Sequence, residues 1–145
     1  MIRPTFDTFD EEWARRVVGV RSSRGVDGFL GIVVTDIEPG RLVAEMEVTK
    51  DLITIMGTMH GGCLSAMCDH VLGVVMYPVM PPGYWAATTE FKINLLAPVT
   101  AGVCRATSEI IAMTKRMSVV RVEIENEARL VAAAQGTCTI VAPKS

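Results

Sequence analysis

His60, Gly61, Gly62 and Asp69 are the residues whose types and spacing could do chemistry, and they share one short stretch, Gly-Thr-Met-His-Gly-Gly-Cys-Leu-Ser-Ala-Met-Cys-Asp, over positions 57–69. If a helix begins at Gly61, the unpaired backbone N–H groups of its first turn point beyond that end. Glycine lets a ligand approach such a backbone closely. The arrangement can hold a carbonyl oxygen and stabilise the negative charge that develops on it during attack at an acyl carbon. The same residues also fit a plainer reading, in which the glycines ease a tight loop and His60 caps or packs.

Asp69 lies nine residues after His60, which places it about 13 Å further along a helix axis. One chain's Asp69 cannot readily reach a carbonyl held at its own Gly61. Cooperation between the two requires the antiparallel helix of a second copy, so that each Asp69 meets the partner's helix start. The alternative is a structural carboxylate bonded to a neighbouring loop, although a buried Asp without a partner or a task is rare. His70 turns to a different helix face and reads as a packed or interface histidine. Ser65 has no base spaced to activate it and Gly-x-Ser-x-Gly is absent, so it reads as a small helix residue.

The helix carrying these residues should run over 61–79. Leu64, Met67, Cys68, Val71, Leu72, Val74, Val75 and Met76 leave no continuous polar face, the pattern of a buried helix. Asp69 and His70 interrupt it, and Pro78, Pro81 and Pro82 stop it, so a bilayer-spanning role is not expected. Before it, residues 9–20 form an amphipathic pattern with acids first and arginines later, 21–28 read as a loop, and 29–38 and 41–48 read as strands about a Pro39-Gly40 turn. After it come strand candidates at 84–96, 103–113, 117–125 and 130–141, joined by links short enough to make neighbouring strands antiparallel. A long antiparallel sheet curled around one helix would give that helix its apolar surface, so the class is α+β. Such a sheet leaves exposed edges that a second copy could cover, and a homodimer is expected.

At 145 residues and 50% hydrophobic composition, the chain should form a single domain, 1–145, with the short helix at its start. A net charge of −2 with scattered Lys and Arg offers no field for nucleic acid. No secretory signal is evident, which leads to the expectation of a cytoplasmic protein without a membrane partner. Cys63, Cys68, Cys104 and Cys138 form no CxxC pair and read as reduced core thiols, with neither a metal site nor a cofactor expected.

With His60-Gly61-Gly62 and Asp69 on a central helix, then Thr88-Thr89-Glu-Phe-Lys-Ile-Asn94 and Pro98 to Gly102 on and after the next strand, the chain resembles the PaaI-like hotdog-fold acyl-CoA thioesterases. Leu30-Gly31-Ile32, Glu38-Pro39-Gly40, Leu130-Val131-Ala132 and Gly136-Thr137 extend the resemblance over residues 28–142. It implies the hotdog fold, a curved antiparallel sheet wrapped around a long central helix, in homodimers or dimers of dimers whose sites lie at the subunit interface. By it, Gly61 N–H polarises the thioester carbonyl, Asp69 of the other subunit is general base or nucleophile, His60 orients the carbonyl or the loop, and Thr88 helps place the attacking water. Thr54 stands where relatives often carry Asn. Gly62, Met59, Tyr84 and Trp85 are candidate substrate contacts, with Met76 and Met80 as further acyl-pocket candidates. Lys115 and Arg116, ahead of Lys92 and Arg105, are candidate cations for the coenzyme phosphates.

The activity so implied is hydrolysis of acyl-CoA, or a related acyl thioester, to an acid and a thiol without a cofactor. A non-catalytic acyl-CoA binder and a hotdog hydratase or dehydratase are the alternatives. Loss of cleavage in Asp69→Asn would favour the hydrolase, and Gly61→Pro is expected to disturb more broadly because it removes the N–H itself.

Overall fold

Leu64, Met67, Cys68, Val71, Leu72, Val75 and Met76 recur at the three- and four-residue spacing of one helix face. In the computed structural model, which describes residues 4–145, all seven are buried. The elements run α1 (Glu11–Val17), α2 (Gly25–Leu30), β1 (Val33–Glu38), β2 (Arg41–Glu47), α3 (Gly61–Val74), β3 (Trp85–Leu95), β4 (Val103–Met113), β5 (Met117–Asn126) and β6 (Arg129–Val141). Short 3-10 turns at Lys50–Leu52 and Tyr77–Val79 flank α3. The six strands form one antiparallel sheet in the order β1-β2-β4-β5-β6-β3, and α3 packs against five of them. Inward residues alternate with outward ones along β4 to β6, as a sheet with one covered face requires. Register shifts in four of the five pairings mark bulges, the devices that bend a sheet around an object on its concave side.

Several expectations change. Residues 25–30, expected as loop and strand start, form α2, which ends at Gly31 in the left-handed region at φ 69°. β1 consequently begins only at Val33. The first helix is shorter than 9–20, because Asp10 caps it by accepting from Trp13 N–H at 2.9 Å and Val18 turns to extended backbone. β3 and β4 are not neighbours: residues 96–102 carry the chain to the far side of β5 and β6. This link passes the start of α3, where Met59 N–H donates to Val99 O at 2.7 Å and Arg129 donates to Pro98 O at 2.6 Å.

The central helix is also less enclosed than its composition implies. Its second face is made of Gly62, Ser65, Ala66, Asp69 and Gly73, none of them buried. Small residues supplied no polar pattern by which the sequence could reveal this open side. By length and composition alone Gly61–Val79 would suffice to cross a membrane, with a mean hydropathy of 1.3, contrary to the sequence expectation. The sheet packed on its apolar face accounts for that composition as a core helix.

Candidate active site

α3 starts at Gly61 because His60 caps it. His60 is extended at φ −62° and ψ 130°, and its Nδ1 accepts from Gly62 N–H at 2.8 Å. In the neutral ring this leaves the proton on Nε2, which is then a donor. Cys63 N–H turns back to His60 O at 2.9 Å. As the first helical residue, Gly61 has no intrahelical acceptor for its own N–H. Of the two glycines, Gly61 offers the N–H suited to an incoming oxygen, while that of Gly62 is committed to the cap.

The loop before this end is tied down from within. Thr54 Oγ1 donates to Thr58 O at 2.9 Å and accepts from Met56 N–H at 3.2 Å, and an isolated bridge joins Ile53 to Met59. The structure thus gives Thr54 a loop-closing role and buries Met59 in the core.

Asp69 stands eight residues further along α3, about 12 Å from Gly61 along the axis. It is exposed, contrary to the expectation of a buried carboxylate, because it projects from the open small-residue face. With His70 it lines a cleft of about 660 Å3 between α3 and β3, and Thr88, Thr89 and Glu90 line the opposite wall. Both threonines reach it because the β3–β6 register shifts between Thr88 and Glu90, a bulge that turns successive residues toward one side.

The electrostatics place these groups together. Burial pushes the Cys138 thiol up, a hydrogen bond with Thr88 pulls it back, and the charge of Asp69 pushes it further up. Cys68 is pushed up to about 12 by burial, with Asp69 adding to the shift. Burial lowers His70, opposed by the carboxylates of Asp27 on α2 and Asp69. His70 therefore belongs to the cleft, a placement its sequence position did not reveal.

The other candidates are scattered. Tyr84 and Lys115 line a second cavity of about 640 Å3 beneath residues 4–8, and Trp85 is exposed at the start of β3. Arg116 sits in the β4–β5 turn, where its carbonyl accepts from Ile140 N–H at 2.8 Å. Lys92 donates to Asn94 at 2.8 Å and Arg105 pairs with Glu45 at 3.1 Å. Met76 and Met80 are core, the former accepting from Ser118 Oγ at 2.8 Å through its sulfur. Gly73, Val74, Tyr77, Ala86 and Phe91 complete the cleft lining. The spacing of Asp69, Gly73 and Tyr77, one helical turn apart, was the available signal for two of them. Among the described residues no three His, Cys, Asp or Glu side chains converge as a metal site would need.

A curled six-stranded antiparallel sheet around one long helix is the hotdog architecture. The profile of the thioesterase superfamily matches residues 56–133, more than half the chain, and the protein belongs to that family. A 1,4-dihydroxy-2-naphthoyl-CoA hydrolase of Listeria monocytogenes is 28% identical over 103 residues, covering 71% of this chain and 84% of that one. The phenylacetic acid degradation protein PaaI of Thermus thermophilus, solved as a point mutant, superposes with a TM-score of 0.71 at 29% identity, over 78% of this chain and 96% of that one. A thioesterase of Haemophilus influenzae has a TM-score of 0.81 over 99% of this chain and 96% of that one, a likeness of fold at 19% identity.

Proposed function

We propose that this thioesterase hydrolyses acyl-CoA at sites completed by two copies of the chain. Gly61 N–H of one copy polarises the thioester carbonyl, and Asp69 and Thr88 of the other serve the attack. The observation that carries this reading is the separation within one chain: Asp69 and Thr88 share a cleft, whereas the helix end suited to hold the oxyanion lies about 12 Å away along the same rigid helix.

The geometry of the edge supports a second copy. β3 is an 11-residue strand at the end of the sheet, paired with β6 on one side, and it forms one wall of the cleft. A long free edge is a template for antiparallel addition of an identical strand. The small-residue face of α3 beside it admits the close approach of a partner helix. The two-fold axis of such a dimer would set each Asp69 against the other copy's Gly61.

In the reaction, Asp69 draws the proton from a water held by Thr88, or attacks the acyl carbon itself before water releases it. The C–O bond forms first, and the C–S bond breaks as the carbonyl re-forms. The carbonyl oxygen carries its charge toward Gly61 N–H, with His60 Nε2–H as a second donor. CoA leaves as a thiolate that takes up the proton, giving acid and thiol. Lys115 and Arg116 are the cations assigned to the coenzyme phosphates. The four cysteines are unpaired, which supports action in the cytoplasm, a reducing compartment.

The test is complementation between two inactive variants. Asp69→Asn and Gly61→Pro should each lose cleavage. Unfolded and refolded together in equal amounts, they should recover about a quarter of wild-type activity, since half the dimers are mixed and each mixed dimer holds one intact site of two. No recovery from a mixture shown to contain mixed dimers would overturn the shared site. Tight acyl-CoA binding without turnover by the wild type would replace the hydrolase with a binder.

A further inference from the structure

Most of the apolar lining of the cleft lies at one end. On α3, Asp69 is followed by Gly73 one turn later, and Tyr77 stands a further turn on. On β3, Ala86 precedes Thr88 and Glu90. The chain turns back over residues 75–84, so helix and strand run in opposite senses; Gly73, Val74, Tyr77 and Ala86 gather at one end, while Phe91, next after Glu90 on β3, is the apolar residue of the other. The polar end holds the reacting groups, which leaves the apolar end for the acyl arm.

Gly73 is not required by its backbone, which has no positive φ. Glycine inside a helix is destabilising relative to alanine. Within one chain a Cβ added there would meet nothing within 4 Å, and Gly73 lines the cleft, so the space over it opens into that cleft. Beyond it, the Tyr77 ring stacks on Trp13 of α1, with ring centroids 5.6 Å apart and planes 17° from parallel. α1 is held at the same place by Asp10 N–H, which donates to Pro78 O at 2.7 Å. α1 lies outside the residues matched by the family profile.

We infer that Gly73 and Tyr77 set the size of the acyl arm this enzyme accepts. Gly73 leaves room over the helix, Tyr77 is the end wall, and Trp13 is a positioning residue that holds the wall from the N-terminal helix. This rests on the cleft being the thioester site.

The experiment measures kcat/KM for acetyl-, hexanoyl-, decanoyl- and benzoyl-CoA alongside Tm. Gly73→Val should lower the benzoyl-to-acetyl ratio by about tenfold or more, the scale on which apolar pockets discriminate single groups. Gly73→Ala should move the ratio the same way while Tm stays level or rises. Tyr77→Ala should raise the decanoyl-to-hexanoyl ratio, and it asks the same question should Gly73→Val fail to fold. Trp13→Ala should shift that ratio in the direction of Tyr77→Ala, with Trp13→Phe restoring it.

A wild type that cleaves no member overturns the thioester reading itself. A wild type that cleaves, with ratios in both Gly73→Ala and Tyr77→Ala unchanged within about twofold, overturns this inference alone. Equal loss on all substrates in Trp13→Ala would make α1 a structural prop and remove the positioning role.

Discussion

Replacing Gly61 by proline isolates one hydrogen atom, because the structure makes this position unusually tolerant of the ring. Gly61 is the first helical residue, where proline's missing N–H breaks no intrahelical bond and its fixed φ suits the helix. The preceding residue must be extended, and His60 already is at ψ 130°. The added Cβ would come within 2.5 Å of Leu95 Cδ1, the tip of a side chain that is 53% exposed and free to swing away. Such a rotamer shift costs about 1 kcal/mol, or roughly 3 °C in Tm for a chain of this size. Gly61→Ala carries the same Cβ but keeps the N–H, and so measures the steric part. Loss of one preorganised backbone donor to an oxyanion costs about 100- to 1,000-fold in kcat. Gly61→Ala should therefore stay within about threefold of wild type while Gly61→Pro falls by that larger factor. Thiol release followed with a chromogenic reagent, beside thermal melts of all three proteins, gives the comparison. If Gly61→Pro folds and turns over as fast as Gly61→Ala, the N–H has no part in catalysis.

Gly62→Ala places a Cβ 2.7 Å from His60 Nδ1 and should expel the ring from its cap, costing about 1 kcal/mol of stability; a variant whose His60 ring resonances match wild type by NMR would contradict this. Because burial lowers the His70 pKa, the unfolded chain binds the extra proton first as pH falls. Stability should be full above the unfolded value near 6.5 and decline as pH drops toward the lower folded value. Urea midpoints across that window should show the decline, and His70→Gln should flatten it. Glu127 and Ala128 turn the β5–β6 hairpin with φ of 50° and 62°, so Ala128→Gly should relieve strain and stabilise the chain by about 0.5–1 kcal/mol, read by chemical denaturation.

The strands from β3 onward were legible because their alternation and turn residues agree, and Val103–Met113 falls on its expected bounds. α2 was not, since Gly25 and Gly28 read as loop and Gly31 as strand, whereas Gly25 starts a helix and Gly31 caps it. The β3–β6 pairing was hidden for a different reason: a short link predicts adjacency, and only the packing of residues 96–102 over the helix start allows the crossing. At the site, the helix start at Gly61 and the distance from it to Asp69 could be read from residue type and helical rise. The bulge at Thr88, the commitment of the Gly62 N–H and the membership of His70 depend on contacts between distant segments, to which local pattern is blind.

The strand order also fixes a sequence of events in time. β3 precedes β4 along the chain, yet its hydrogen-bonded neighbour is the last strand, Arg129–Val141. During synthesis, Thr88 emerges long before the partner that bends its strand. Pairings so distant are slow to form and leave edges unsatisfied meanwhile. Until residue 141 is free to dock, the strand that carries one wall of the cleft has no ladder partner in its own chain. The cleft between α3 and β3 is therefore completed late in folding, and until then β3 is an unpaired edge open to aggregation.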